Sequence, residues 1–186
     1  MRPTSPDLPH SAVLVIDMQE YFRSIAAPIA ARLGSTVAEL RTRWVPIIYT
    51  QHGHENPARD GGMLYEWWDE HIIVGTEPWR LMPEVEPSVG DPVIRKKRYS
   101  AFFGTDLATR LRRLGVTDLV IGGVMTNVCC ETTARDAFVR DYRVFVLTDG
   151  TASASRDLHQ ASLRNLGYGF ATLLSCQQLL RAVRIS

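Results

Sequence analysis

Ile121-Gly122-Gly123-Val124-Met125-Thr126-Asn127-Val128-Cys129-Cys130-Glu131-Thr132-Thr133-Ala134-Arg135-Asp136-Ala137 joins an apolar run to a helical pattern through a glycine pair. Asp118 to Ile121 reads as the strand that enters it. Thr126 and Asn127 are candidate N-cap residues, since their side-chain oxygens can accept from the orphan amides of a first helical turn. A thiol then falls at or within that turn, where the macrodipole and unpaired N–H groups favour a thiolate. Strand, sharp turn and nucleophile at a helix start is a layout that several hydrolases use.

Working outward, Ser11-Ala12-Val13-Leu14-Val15-Ile16 is a continuous apolar run ending in Asp17. Such a run reads as a strand buried on both faces, the mark of a parallel sheet. Apolar spacing predicts a helix from about Pro28 to Arg43, then a strand from Val45 to Thr50. Pro92 to Arg95 reads as a third strand, and Thr105 or Asp106 opens a helix that ends near Gly115. After the cysteine helix, expected to reach about Arg140, come a strand from Arg143 to Leu147 and a helix from about Arg156 to Leu166. A strand from Gly169 to Leu174 and a helix from Cys176 close the chain. This alternation predicts a doubly wound (Rossmann-like) three-layer α/β/α sandwich with a mostly parallel central sheet. Residues 1–10 read as a flexible N-terminal segment and 11–186 as a single domain.

Composition narrows the function. The 186 residues are 45% hydrophobic and 22% charged, with a formal net charge of +1. Nothing in that balance points to nucleic acid or an anionic membrane. No apolar run approaches the roughly 18 residues of a spanning helix, and Met1 to His10 lacks the apolar core of a signal peptide. Three cysteines, two adjacent, make a poor disulfide framework, so reduced thiols and a cytoplasmic location are expected. Residues 51–92 lack firm periodicity and hold His52, His54, His71, Trp67, Trp68 and Trp79. A span of this length is usually an active-site lid or partner-binding loop. Its aromatics suit a lined pocket, a subunit interface or simple packing onto the core.

Asp17, Lys96 and Cys129 fall at the carboxyl ends of three predicted strands, which share one edge in a parallel sheet. If they converge, the carboxylate can take the thiol proton while the ammonium holds the developing charge. Three ordered segments carry a resemblance: Val15-Ile16-Asp17-Met18-Gln19, Lys96-Lys97-Arg98-Tyr99-Ser100-Ala101-Phe102, and Gly123 through Ala137. Together they resemble the isochorismatase-like cysteine hydrolase superfamily, from about Ala12 to Leu180.

The resemblance implies a catalytic Asp17, Lys96 and Cys129. The family lysine stands three residues before the tyrosine, which selects Lys96 and leaves Lys97 as a solvated charge. Cys129 is selected over Cys130 by its distance from an implied cis bond between Val124 and Met125. Neighbours on a helix point about 100° apart, so Cys130 is read as a small buried hydrophobe. The backbone amides of Met125 and Cys129 are the implied oxyanion hole. Phe22, Trp68 and Tyr99 match pocket-lining positions. Gln19 either contacts substrate or caps the strand end, and Arg98 either pairs with a substrate carboxylate or forms an interface or surface ion pair. Asn127, with Thr126, either touches substrate or orients the turn.

The implied activity is cleavage of the C–N bond of a small linear or carbamoyl-type amide through a thioester, releasing ammonia or an amine. Asn127 and Glu131-Thr132-Thr133 look most like the ureidoacrylate and general amidase branch. Nicotinamidases of this superfamily hold a metal through an Asp-x-His element and a later histidine. Here the element reads His52-Gly53-His54, with His71 before Ile72-Ile73-Val74-Gly75-Thr76. The aspartate is replaced, so neither metal nor other cofactor is expected. Isochorismatases proper, which hydrolyse a vinyl ether, have glycine where Cys129 stands, and that activity is the alternative. A non-catalytic partner-binding domain is a further one, which would need none of the three residues. The resemblance also implies a homo-oligomer, dimer or tetramer.

Overall fold

A computed structural model describes residues 3–182. Six strands form one all-parallel sheet in the order β3-β2-β1-β4-β5-β6: β1 (Ser11–Ile16), β2 (Ile47–His52), β3 (Val93–Lys96), β4 (Asp118–Val124), β5 (Arg143–Ala152) and β6 (Thr172–Leu174). The sheet grows one way from β1 and the other way from β4. The order therefore reverses between these two central strands, where a doubly wound sheet opens a crevice at its carboxyl edge.

All six residues of β1 are buried, as its unbroken apolar run requires. Val13 and Val15 face a cluster built with Ile29, Leu33 and Val37 of α1 (Arg23–Arg41) and Leu179 of α7 (Cys176–Ala182). Ala12, Leu14 and Ile16 face the opposite cluster. It is built with Leu107 and Leu111 of α4 (Leu107–Arg113), Ala134 and Ala137 of α5 (Glu131–Phe138), and Leu163 and Leu166 of α6 (Arg156–Gly169). Helices thus cover both faces, giving three layers. No helix among the described residues is long and apolar enough to cross a membrane.

Several boundaries differ from the sequence reading, for local reasons. Helix α1 starts at Arg23, so Pro28 lies inside it instead of at its first position. Ala26, Ile29 and Ala30 on either side of it are buried in the core. Strand β2 runs on to His52, and β4 absorbs the glycine pair before it ends at Val124. β5 extends to Ala152, and the β4–β5 register shifts between Ile121 and Gly123. Gly123 has φ +116°, and a Cβ there would lie 2.1 Å from the Ile16 carbonyl oxygen. That neighbour is backbone of a central strand and cannot step aside. Gly123→Ala is expected to cost more than about 3 kcal/mol, read as a fall in the urea midpoint; a loss under about 1 kcal/mol would refute the steric account.

The N-terminal segment makes hydrogen bonds to the domain. The Pro3 carbonyl accepts from the Thr172 hydroxyl at 2.7 Å, and the Asp7 carbonyl accepts from Ser11 at 2.6 Å. The excursion after β2 carries two short helices, α2 (Pro57–Asp60) and α3 (Met63–Trp67). Part of it does pack onto the core, through Met82 and Val85.

Candidate active site

Asp17 follows β1, Lys96 ends β3, and Cys129 lies in the π-helical turn Thr126–Cys130 after β4. Parallel pairing brings all three to the same sheet edge. Lys96 Nζ stands 2.7 Å from Asp17 Oδ2, 3.4 Å from Cys129 Sγ and 3.0 Å from the Arg98 carbonyl oxygen. The ammonium donates to the Arg98 carbonyl and the Cys129 sulfur and forms an ion pair with Asp17. The three side chains are almost wholly buried. Asp17 takes φ +46°, a conformation that aspartate and asparagine tolerate better than most residues. Its Oδ1 accepts from the Thr50 hydroxyl at 2.6 Å, and its own N–H donates to Thr50 Oγ1 at 3.1 Å. Thr50 was missed in the sequence. It lies beside Asp17 only because β2 pairs with β1, and no local pattern marks it.

The electrostatics differ from the sequence expectation. Burial pushes the Cys129 thiol up to about 12; Lys96 pulls against this and the Asp17 carboxylate adds to it. Burial outweighs the helix terminus, so the resting sulfur is a protonated thiol. Burial also works against charge on Lys96, yet Asp17 and Cys129 more than offset it and raise the ammonium's pKa. Cys130 is fully buried in the core and pushed up by burial, as a small hydrophobe would be. All three cysteines are free thiols.

A cavity of about 420 Å³ opens onto Cys129. Phe22, Trp68, Tyr99, Met125 and Asn127 line it, as do Tyr21 and Glu70, which sequence reasoning missed. The Trp68 indole donates to the Tyr99 hydroxyl at 2.8 Å, joining two walls, and Tyr21 donates to Glu70 at 3.1 Å. Trp79, by contrast, packs against Gly53 and beneath Arg95.

Two candidates do not reach the cavity. The Gln19 amide donates to the carbonyls of His52 and Trp79, and its oxygen accepts from the His52 N–H at 2.7 Å. Gln19 therefore ties the excursion to the end of β1. Arg98 donates to the carbonyls of Asp60 and Lys97, and its guanidinium fills the space where a side chain on Gly62 would stand. Nor is Lys97 a purely solvated charge, since it pairs with Asp60 at 2.7 Å and Glu55 at 3.5 Å. Thr126 and Asn127 cap nothing: Thr126 Oγ1 lies 2.8 Å from His159 Nδ1, and Asn127 Oδ1 accepts from Ser153 at 2.8 Å. Both hold the cysteine turn against its surroundings, while Asn127 also faces the cavity. The Val124–Met125 peptide is cis.

His52, His54 and His71 all line the cavity. A metal centre needs three or four converging donors. The His52 and His54 rings meet edge to face at 5.1 Å, His54 Nδ1 lies 3.4 Å from Asp60 Oδ1, and His71 packs on Tyr65. Among the described residues no three such donors form a group that could hold a metal ion. The arrangement does not fit one.

Comparison with known proteins agrees with this geometry. The model of the isochorismatase domain matches residues 11–178. Nicotinamidase 3 of Arabidopsis thaliana is 42% identical over 185 residues, covering 98% of this chain and 93% of that protein. Enterobactin synthase component B of Escherichia coli is 32% identical over 179 residues, 92% of this chain but 63% of that protein. Among solved structures, a cysteine hydrolase from Pseudomonas syringae pv. phaseolicola superposes with a TM-score of 0.89 at 27% identity, covering 99% of this chain and 98% of that one.

Proposed function

The chain belongs to the isochorismatase family, and we propose that it hydrolyses the C–N bond of a small amide through a thioester on Cys129. The observation that carries this reading is the Lys96 ammonium set between the Asp17 carboxylate and the Cys129 sulfur. The likeness to a nicotinamidase along nearly the whole chain supports amide cleavage, and brings nicotinamide into the substrate panel beside the linear and carbamoyl amides.

Because burial keeps the sulfur protonated, attack is coupled to proton transfer. Asp17 takes the thiol proton as sulfur bonds to the carbonyl carbon, and the carbonyl oxygen becomes an oxyanion. The amides of Met125 and Cys129 receive it, each worth about 3 kcal/mol, and Lys96 offsets the charge. The intermediate collapses, the C–N bond breaks, and nitrogen leaves as ammonia or amine with the proton from Asp17. Water then attacks the thioester, passing a proton to Asp17. The acid leaves, and the proton returns to sulfur. Vinyl-ether hydrolysis has no use for the Lys96–Cys129 contact.

The test is ammonia release across the panel, with intact-mass analysis under steady turnover and hydroxylamine as trap. A mass increase equal to the acyl group on Cys129, discharged to a hydroxamate, is expected. Turnover with no acyl-enzyme and no hydroxamate would overturn the thioester route.

A further inference from the structure

Helix α6 meets the cysteine turn with two polar side chains. His159 and Ser162 stand three residues apart, on one face of the helix. His159 Nδ1 lies 2.8 Å from Thr126 Oγ1, and the Ser162 hydroxyl donates to the Thr126 carbonyl at 3.1 Å. Thr126 is wholly buried, so its hydroxyl needs a partner inside the protein. Just past β5, Ser153 donates to Asn127 Oδ1 and accepts from the Asn127 N–H. Thr126 directly follows Met125, whose amide is one of the two oxyanion donors in the mechanism above. The Met125 carbonyl is held as well, accepting from the Val128 and Cys130 N–H groups at 3.1 Å each. Whatever moves Thr126 therefore re-aims Met125. His159 itself stays behind the wall: α6 lines the cavity with Leu158 instead.

We propose that His159 is the positioning residue of the oxyanion turn. Its Nε2–H donates to the Thr148 carbonyl, its Nδ1 lone pair accepts from the Thr126 hydroxyl, and α6 thereby fixes the Met125 amide where charge develops. This rests on the amidase reading above and adds a residue that acts through another and touches no substrate. Burial lowers the His159 pKa, while the hydrogen bond of its ring to the Thr148 backbone works the other way. At neutral pH the ring is uncharged, with one N–H and one lone pair. A bond that favours the charged ring is one in which a ring N–H meets a carbonyl, and a carbonyl can only accept. The N–H is thus spent on Thr148, and the lone pair is left for a hydroxyl that can donate. Preorganisation is what the arrangement supplies, since a donor that strays by about 1 Å loses most of its hold on the oxyanion.

The experiment measures kcat and KM on the best amide for wild type, His159→Leu, His159→Asn, Thr126→Val and the double variant His159→Leu/Thr126→Val, with iodoacetamide alkylation of Cys129 alongside. His159→Leu is expected to lower kcat by about 10- to 100-fold with KM within about threefold. Its alkylation rate should stay near wild type, because Asp17, Lys96 and the sulfur keep their places. Asparagine sets an oxygen close to where Nδ1 stood and should recover most of the loss. The double variant should be no slower than the slower single one, since each removes the same bond. Imidazole nitrogen NMR of wild type at neutral pH should show the Nε2–H tautomer at His159. A protonated Nδ1 overturns the inference, a result independent of how the variants fold. So does a His159→Leu kcat within about threefold of wild type, a His159→Asn enzyme as slow as His159→Leu, or losses that multiply in the double variant. A fall in alkylation that matches the fall in kcat also overturns it, because the whole site would then have loosened. Each of these leaves the amidase intact as long as wild-type turnover depends on Cys129. No Cys129-dependent ammonia from any amide removes the amidase reading and this inference together.

Discussion

Cys129→Ala is expected to lower ammonia release from the best amide by roughly 10⁴- to 10⁶-fold while leaving the protein folded. Among the described residues, the sulfur is the one thiol lining the cavity, and Lys96 donates to it. Cys130, next in sequence, cannot replace it, because its side chain is fully buried among the residues beneath the sheet. Cys130→Ala is the matched control: it is expected to keep turnover and to lose about 1 kcal/mol of stability from the small void it leaves. Initial rates by a coupled ammonia assay and urea midpoints for both variants decide the matter. A Cys129→Ala enzyme that retained more than a hundredth of the wild-type kcat would end the nucleophile assignment.

Asp17→Asn separates two roles that a simple loss-of-function variant would blur. Turnover is expected to fall by roughly 10³-fold or more, since the amide cannot accept the thiol proton or return it to the leaving nitrogen. Alkylation of Cys129 by iodoacetamide is expected to move the other way. Burial is the main cause of the raised thiol pKa, and the Asp17 charge adds to it while Lys96 opposes it. Removing the carboxylate leaves the ammonium facing the sulfur alone, so the thiol pKa falls and the thiolate fraction at a given pH rises about tenfold for each unit. In wild type the alkylation rate should climb with a slope near one in log units from pH 7 to 10, without a plateau, because the pKa lies near 12. Asparagine keeps an oxygen for the Thr50 hydroxyl and tolerates the positive φ of this position. Slower alkylation in the variant, or turnover near wild type, would contradict the proton-acceptor role.

The fold was open to reading because it rests on local signals, and the resemblance to a known family narrowed the candidate residues at its edge. The unbroken run from Ser11 to Ile16 dictates a strand covered on both faces, and the alternation after it dictates parallel pairing with one reactive edge. Asp17, Lys96 and Cys129 could be picked out because each ends or follows such an element. The same reasoning stopped where a side chain's direction depends on a distant segment. Arg98 stands two residues beyond Lys96, and its sequence suits a substrate carboxylate equally well; the turn at Asp60 and Gly62 claims it instead. Gln19 is taken by the His52 and Trp79 backbone, and Thr50 reaches Asp17 through strand pairing alone.

Sequence by itself, then, determined the layers and the shared edge, since hydrophobic periodicity is a property of short stretches, while the resemblance to a known family singled out Lys96 over Lys97 and Cys129 over Cys130 at that edge. Tertiary structure alone decided that burial pushes the Cys129 thiol up, that Lys97 and Arg98 are held by the turn at Asp60, and that the buried His54 lines the cavity beside Asp60. Those depend on desolvation and on contacts across dozens of residues. Neither quantity exists until the excursion after β2 has closed over the sheet.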